Sequence, residues 1–200
     1  MILSPSKREV TAEDFELMEL PKSFWKVKWS DFNDIADKKH LERYLKRIHA
    51  AFEDGDGLFI LGPQLSGKSH LSAYIARLAR SYSATVQWSS AIEIQDRITR
   101  RDTYQDNDFD YSILERYRKV DLLVIDNLGG ELSAVRDRNH VTELIENRIH
   151  WNKPMVINTY RNEAEMSELY HEGYLNWLLS LHCPVVLSGM VETVMSKYKD

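Results

Sequence analysis

The strongest chemical signal in this sequence is a glycine-rich segment that fits the pattern G-x-x-x-x-G-K-[ST]. In this pattern the backbone N–H groups turn inward around phosphate oxygens, and the following helix adds its dipole. We expect Lys68 to reach the β- and γ-phosphates and the Ser69 hydroxyl to ligate Mg²⁺. The segment therefore predicts a site for ATP and Mg²⁺, formed by Gly62, Pro63, Gln64, Leu65, Ser66, Gly67, Lys68, Ser69 and His70.

A second acidic motif follows the apolar run 122–125, which ends in Asp126. An acid at the carboxyl end of a buried strand lies where open α/β sheets bind ligands. This is a Walker B pattern, and Asp126 is expected to hold Mg²⁺ directly or through water. The next residue is Asn127, where ATPases of this layout usually carry a glutamate base. Because an amide cannot accept the proton of water, we expect ATP binding with slow hydrolysis, unless Glu131 supplies the base.

Five short apolar runs alternate with helical segments and must position these motifs. Such an alternation predicts an α/β fold with a parallel, doubly wound sheet covered on both faces. The first run precedes the glycine-rich segment, and the fourth is followed by the polar residues Asn158 and Thr159. The runs occupy positions 58–61, 84–88, 122–125, 155–157 and 185–187.

Length and composition limit the remaining function classes. The 200 residues are 43% apolar and favour one domain, and the net charge of −5 excludes a bulk basic surface for duplex DNA while leaving room for a local groove. Cys183 is the one cysteine, which excludes an intrachain disulfide framework. The N-terminus lacks a signal-peptide pattern, and no apolar run is long enough to span a membrane. We expect a soluble protein of a reducing cytoplasm.

Taken together, these motifs resemble the AAA+ ATPases. More closely, they resemble the DnaC/DnaI/IstB group of helicase loaders and transposition helper ATPases, through segments 20–32, 57–71, 121–129 and 147–159. The resemblance implies a P-loop NTPase with a five-stranded AAA+ core and no C-terminal lid, in a bacterial or phage-infected cell. It also implies an N-terminal arm or loosely docked helix over 1–20, the core over 21–189 and a C-terminal tail over 190–200.

The resemblance implies further site residues. Either Asn158 or Thr159 would be the sensor of the γ-phosphate, and the sequence leaves both open. The group usually carries an arginine finger shortly before the last strand, where this chain has Trp177. Arg148 and Arg161 are candidate substitutes, and a partner supplying an arginine in trans is the alternative. Both the usual base and the finger are thus missing from their places, which again predicts weak intrinsic hydrolysis.

Two groups of side chains are candidates for further contacts. Arg97, Arg100 and Arg101 follow the second strand, where initiator-type AAA+ proteins insert a helix that contacts single-stranded DNA. A solvated charged helix is the alternative, because acids and bases nearly cancel over 91–120. The aromatic residues near the start of the core either lie close to adenine, as in related ATPases, or pack the N-terminal arm on the core; they are Phe24, Trp25 and Trp29.

The sequence supports several functions. The first is a nucleotide-switched loader that engages a replicative helicase or other replication protein, together with single-stranded DNA, and that self-associates. The second is a transposition helper ATPase of the IstB type, which would need a more basic surface. A nucleotide-binding pseudo-ATPase adaptor is favoured by Asn127 and Trp177. A small-molecule P-loop kinase is disfavoured, because its lid would need arginines and none follows Arg161.

Overall fold

The computed structural model describes residues 6–32, 38–103, 111–131, 139–170 and 172–187. The expected C-terminal tail and the first five residues of the expected arm lie outside these ranges. Within them, none of the helices combines the length and the apolar character that crossing a membrane requires.

The centre of the fold is a five-stranded sheet in which every strand pair is parallel, as the sequence predicts. Its spatial order is β2-β3-β4-β1-β5, so that β4 lies between the strand before the glycine-rich segment and the strand that ends in Asp126. The strand that carries the two sensor candidates, Asn158 and Thr159, therefore lies between the two motif strands. The strands are β1 (Gly57–Leu61), β2 (Val86–Ser90), β3 (Leu122–Asp126), β4 (Met155–Thr159) and β5 (His182–Val186).

Helices cover both faces of this sheet, and alternate residues of each strand enter one of two apolar clusters. Leu58 and Ile60 belong to one cluster, whereas Phe59 and Leu61 belong to the other. Two short 3₁₀ turns lie at Lys22–Phe24 and Trp29–Asp31. The helices are α1 (Ala12–Leu17), α2 (Lys38–Lys46), α3 (Ile48–Asp54), α4 (Lys68–Ser81), α5 (Ala91–Thr103), α6 (Tyr111–Lys119), α7 (His140–His150), α8 (Glu163–Tyr170) and α9 (Glu172–Leu181).

Helix α1 is packed into the core more tightly than its sequence suggested. Phe15, Met18 and Leu20 are buried and belong to the same apolar cluster as Leu58 and Ile60 of β1. The carbonyl of Met18 also accepts a 2.8 Å hydrogen bond from the backbone N–H of Trp88 in β2. Leu17, at the end of the same helix, is by contrast 52% exposed.

A buried carboxylate fixes α1 to α4. The Asp14 carboxylate accepts two 2.7 Å hydrogen bonds from Arg8 and a 2.8 Å hydrogen bond from Nε of Arg80. The backbone N–H of Asp14 donates to the side chain of Thr11, which is the N-cap of α1. The Arg8 guanidinium, with further donors from Thr11 and Arg80, holds the pKa of Asp14 well below its usual range. Residues 8–20 are therefore held by charge pairing as well as by apolar contact.

Arg148 is a structural residue, which corrects its candidacy as an arginine-finger substitute. It is fully buried in α7, and its guanidinium donates to the carbonyls of Tyr117, Arg118, Val120 and Pro154 at 2.8–3.3 Å. These carbonyls precede β3 and β4, at the sheet edge opposite to the end of β3 where Asp126 lies. A guanidinium held there cannot reach a phosphate at the carboxyl edge.

Candidate nucleotide-binding site

The glycine-rich segment forms a tight loop between β1 and α4. The backbone is left-handed at Leu65 (φ 63°) and at Gly67 (φ 88°), and the N–H of Ser66 donates to the carbonyl of Pro63. A Cβ at Gly62 would lie 2.4 Å from the carbonyl oxygen of Leu187, so only glycine fits at that position. Helix α4 begins at Lys68. The first backbone N–H groups of this helix therefore face the space that the loop encloses.

Lys68 is a buried cation with neutral partners. Its side chain is only 7% exposed, and its ammonium donates to the carbonyl of Pro63 at 2.6 Å and to Oγ of Ser66 at 3.4 Å. Burial lowers the pKa of Lys68, and the nearby Asp126 carboxylate opposes that shift. Because a buried charge is costly without a counter-charge, this cradle fits an anion such as the phosphates of ATP.

The residues expected to hold Mg²⁺ lie in contact. The Ser69 hydroxyl donates a 2.8 Å hydrogen bond to Oδ1 of Asp126, which joins the start of α4 to the end of β3. Burial raises the pKa of Asp126, and hydrogen bonds from Asn158 and Ser69 counteract the shift. A hydroxyl and a carboxylate oxygen this close fit the hard, oxygen-preferring Mg²⁺, which would draw its other ligands from phosphate and water.

The structure separates the two sensor candidates. The amide of Asn158 donates to Oδ1 of Asp126 at 2.6 Å and to Oγ of Ser72 at 3.0 Å. Thr159 is buried on the opposite face of β4, where its hydroxyl donates to the carbonyl of Leu128 at 2.8 Å. Only Asn158 therefore joins the group around Asp126. Ser72, one helical turn after Ser69, is a member of this group that the sequence analysis did not identify.

The loop after β3 holds Asn127 in a conformation that suits this residue type. Its φ is +62°, a region that asparagine tolerates better than most residues, and its N–H donates to Oδ1 of Asn158 at 3.0 Å. Asn127 thus adjoins Asp126 and is hydrogen-bonded to the sensor candidate.

Glu131, the alternative base, is engaged elsewhere. Its carboxylate accepts hydrogen bonds from the N–H of Gly129 and the hydroxyl of Tyr170, and it is fully buried. Burial, reinforced by the nearby Glu131 carboxylate, raises the pKa of Tyr170, which keeps the phenol protonated as a donor. These contacts indicate that Glu131 shapes the loop rather than activating water.

The comparisons with known proteins concern the fold. No protein-family model matches the chain, and the curated proteins contain no match either. Among solved structures, a DnaC helicase loader is 17% identical, with a TM-score of 0.69 over 84% of this chain and 99% of that chain. DnaI is 20% identical, with a TM-score of 0.64 over 85% of this chain and 92% of that chain.

The chain has a DnaC/DnaI-like AAA+ fold. A third structure with this fold is the replication initiator DnaA bound to AMPPCP and single-stranded DNA. It is 16% identical, with a TM-score of 0.61 over 90% of this chain and 56% of that chain. At these identities the likeness establishes the AAA+ fold and leaves the activity to be argued from the residues.

The remaining finger candidate of the AAA+ core lies close to the loop after β3. Arg161 follows β4, and its guanidinium lies 3.5 Å from the carbonyl oxygen of Gly129 and 5.4 Å above the ring of Tyr160. Trp177, which occupies the place of the usual finger, packs on Tyr174 with ring centroids 5.6 Å apart. Arg161 therefore remains the candidate substitute, and Trp177 contributes packing.

The arginines expected to contact DNA are placed unequally. Arg97 in α5 is paired with Glu19 at 3.0 Å and donates to the hydroxyl of Tyr117 at 3.1 Å. Arg100 is exposed, and the side chain of Arg101 lies outside the described residues. Because Arg97 is already engaged, it is the weakest of the three as a phosphate contact.

The aromatic residues near the N-terminus divide into two roles. Phe24 meets the ring of His70, in the first turn of α4, with centroids 4.9 Å apart. Burial lowers the pKa of His70, which favours the neutral ring. Trp25 instead stacks on Phe15, and Trp29 packs on Tyr74. Phe24 is thus the aromatic residue that contacts the first turn of α4, and the two tryptophans pack against Phe15 and Tyr74.

Proposed function

We propose that the chain is an ATP-binding, helicase-loader-like protein that engages a replicative DNA helicase in a nucleotide-dependent way during DNA replication. The observation that carries this proposal is the group formed by Lys68, Ser69, Asp126 and Asn158, which joins three elements of the AAA+ core at one point. The named function of one similar fold, the DnaC helicase loader, supports the choice of partner.

Nucleotide would be held by the loop N–H groups and Lys68, and Mg²⁺ by Ser69 and Asp126. Bound Mg²⁺ supplies charge neutralisation to the phosphates. Asn158 would report the phosphate state, since its amide contacts Asp126 and its oxygen accepts the N–H of Asn127. A change at the γ-phosphate can thus alter the loop after β3, and partner affinity would follow through differential contacts in the two states.

Weak intrinsic hydrolysis is part of the proposal. The amide of Asn127 cannot accept the proton of water. The Glu131 carboxylate is buried and already accepts hydrogen bonds from other groups. Arg148 is held at the opposite edge of the sheet. Hydrolysis would then depend on Arg161 or on an arginine supplied in trans by a partner or by a second copy of the chain. An arginine finger contributes a factor of about 10³–10⁵ to turnover in related reactions.

Nucleotide binding is tested with a fluorescent ATP analogue and Mg²⁺, comparing the natural chain with Lys68→Ala. We expect the variant to bind at least about 100-fold more weakly, in the range for loss of a charge-assisted contact. Lys119→Ala, an exposed lysine on α6, is the matched control and should bind normally. Equal binding by the natural chain and Lys68→Ala would overturn the nucleotide site.

Helicase engagement is tested by measuring association with the helicase of the same replication system in ATP, in ADP and without nucleotide. We expect at least about tenfold tighter association in one nucleotide state, which corresponds to about 1.4 kcal/mol of coupling. The Lys68→Ala variant should lose this difference. Association that ignores nucleotide would instead support the second candidate, a pseudo-ATPase adaptor, which Asn127 at the position of the usual base favours.

A further inference from the structure

Helix α2 carries a concentration of positive charge in an acidic protein. Positions 38–47 hold five basic residues and one acid, whereas the whole chain has a net charge of −5. Asp34 and Asp37 precede the helix and lie outside the described residues. A local excess of this kind, against the sign of the whole molecule, is the electrostatic footprint of a polyanion site.

Packing decides which of these charges face outward. Leu41 and Tyr44 are buried against the core, so the opposite side of α2 exposes Lys39, Arg43 and Lys46. Their spacing of four and three residues places them on one helix face, about 6 Å and about 4.5 Å apart along the axis. These three exposed bases therefore form a continuous stripe.

The stripe has charge available for a ligand. Arg47 is neutralised by Asp56 at 3.1 Å and by Asp54 at 3.8 Å. By contrast, Lys39, Arg43 and Lys46 form no ion pair with any residue in the described ranges. Among the described residues, an incoming anion would therefore find no existing partner to displace from these side chains.

The stripe borders a groove of about 990 Å³ between α2 and the edge strand β5. Lys38, Lys39 and Arg43 line one side, with Glu42 as the acid among them, and Pro184 and Val186 line the other side. Val186 is 46% exposed. The groove thus combines cations along one wall with apolar surface along the other, which suits a charged backbone that carries flat apolar groups.

The edge of β5 argues against a peptide strand as the occupant. The N–H of Leu187 donates to Leu61 in β1, so the alternate positions 184 and 186 direct their backbone groups away from the sheet. Pro184 has no N–H to donate, and prolines at such positions protect an edge from strand addition. An extended peptide would therefore find an incomplete hydrogen-bonding edge, whereas a phosphate backbone needs only the cations.

We propose that the groove between α2 and β5 binds single-stranded nucleic acid, with phosphates on Lys39 and Arg43, sugars or bases against Pro184 and Val186, and a further phosphate on Lys46, where the stripe continues along α2 beyond the groove. The inference rests on the proposed function only in giving the single strand a place on a replication protein. The groove uses none of the residues of the nucleotide site, and its test can be run without ATP.

The test measures fluorescence anisotropy of a labelled deoxythymidine 20-mer with the full chain at low salt, without nucleotide. Lys39→Gln/Arg43→Gln should bind at least about tenfold more weakly, and the slope of log affinity against log salt should fall by about 1.4, the release expected for two single-strand phosphates. The control is Arg118→Gln/Lys119→Gln, which removes the same charge from α6.

Three outcomes would overturn the proposal. The first is no binding of the oligonucleotide by the natural chain, and the second is equal weakening in the two double variants. The third is that polyglutamate of matched charge competes as effectively as the unlabelled oligonucleotide does. That result would assign the groove to an acidic protein segment. Thermal unfolding of both variants establishes that they are folded. Because the assay contains neither ATP nor helicase, its result does not depend on whether the proposed helicase engagement holds.

Discussion

The side-chain amide of Asn158 lies 2.6 Å from Oδ1 of Asp126, across the neighbouring strands β3 and β4. Its oxygen accepts the N–H of Asn127 at 3.0 Å. One side chain thus connects the residue that would hold Mg²⁺ with the loop that follows it. Thr159, the next residue along β4, makes no contact of this kind because it lies on the other face of the sheet.

Replacing Asn158 should impair nucleotide discrimination more than binding. In Asn158→Ala the N–H of Asn127 and the carboxylate of Asp126 lose a shared partner, so we expect the ratio of ATP to ADP affinity to fall at least about fivefold, or about 1 kcal/mol. Titration with fluorescent ATP and ADP analogues measures the ratio. Thr159→Val is the matched control and should keep the ratio while losing about 1 kcal/mol of stability. An unchanged ratio in Asn158→Ala would refute the sensor role.

Restoring an acid beside Asp126 should raise hydrolysis. Asn127→Glu supplies a proton acceptor, and a positioned general base is worth about 10²–10⁴-fold in rate. The left-handed backbone at this position costs glutamate about 1 kcal/mol more than asparagine, so we expect a gain of at least about tenfold. Release of inorganic phosphate measures it. Asn127→Gln has the same length without basicity, and an equal gain in that variant would contradict the prediction.

Removing the buried guanidinium of Arg148 should destabilise the fold without a specific effect on nucleotide. Arg148→Met leaves four carbonyls without their donor, and the free energy of unfolding should fall by about 3–5 kcal/mol. Urea denaturation measures the change, with the exposed Arg100→Met expected to stay within about 0.5 kcal/mol. At low temperature, where the variant is folded, its ATP affinity should match that of the natural chain. Selective loss of turnover in a fully stable variant would restore Arg148 as a finger.

Acid should weaken the attachment of α1. The pKa of Asp14 is lowered in the folded chain, chiefly by Arg8, while the unfolded chain has a pKa of about 3.9. Its contribution is therefore complete above that unfolded value and is lost as the pH falls below it. Asp14→Asn should cost about 2 kcal/mol at pH 7 and progressively less between pH 4 and pH 2. Urea denaturation across this range provides the test, and a cost independent of pH would refute it.

Much of the nucleotide site was predictable because its signals are local. The glycines between Gly62 and Ser69 permit the backbone conformation of a tight loop, and the apolar run before Asp126 predicts a buried strand. Five such runs between helices predict a parallel sheet, which the structure confirms. The roles assigned to the individual site residues stay predictions until the variants above are measured.

The other assignments depended on which elements meet in three dimensions. Asn158 and Thr159 are equivalent in sequence, but the alternation along β4 gives one to Asp126 and the other to the opposite cluster. Arg148 has the residue type that an arginine finger requires. In the structure, however, its guanidinium donates to the carbonyls that precede β3 and β4. The charges of α2 could be counted in the sequence, but only packing placed β5 beside them. Short patterns of residue types determine local conformation, whereas the contacts of a side chain depend on how the whole chain folds.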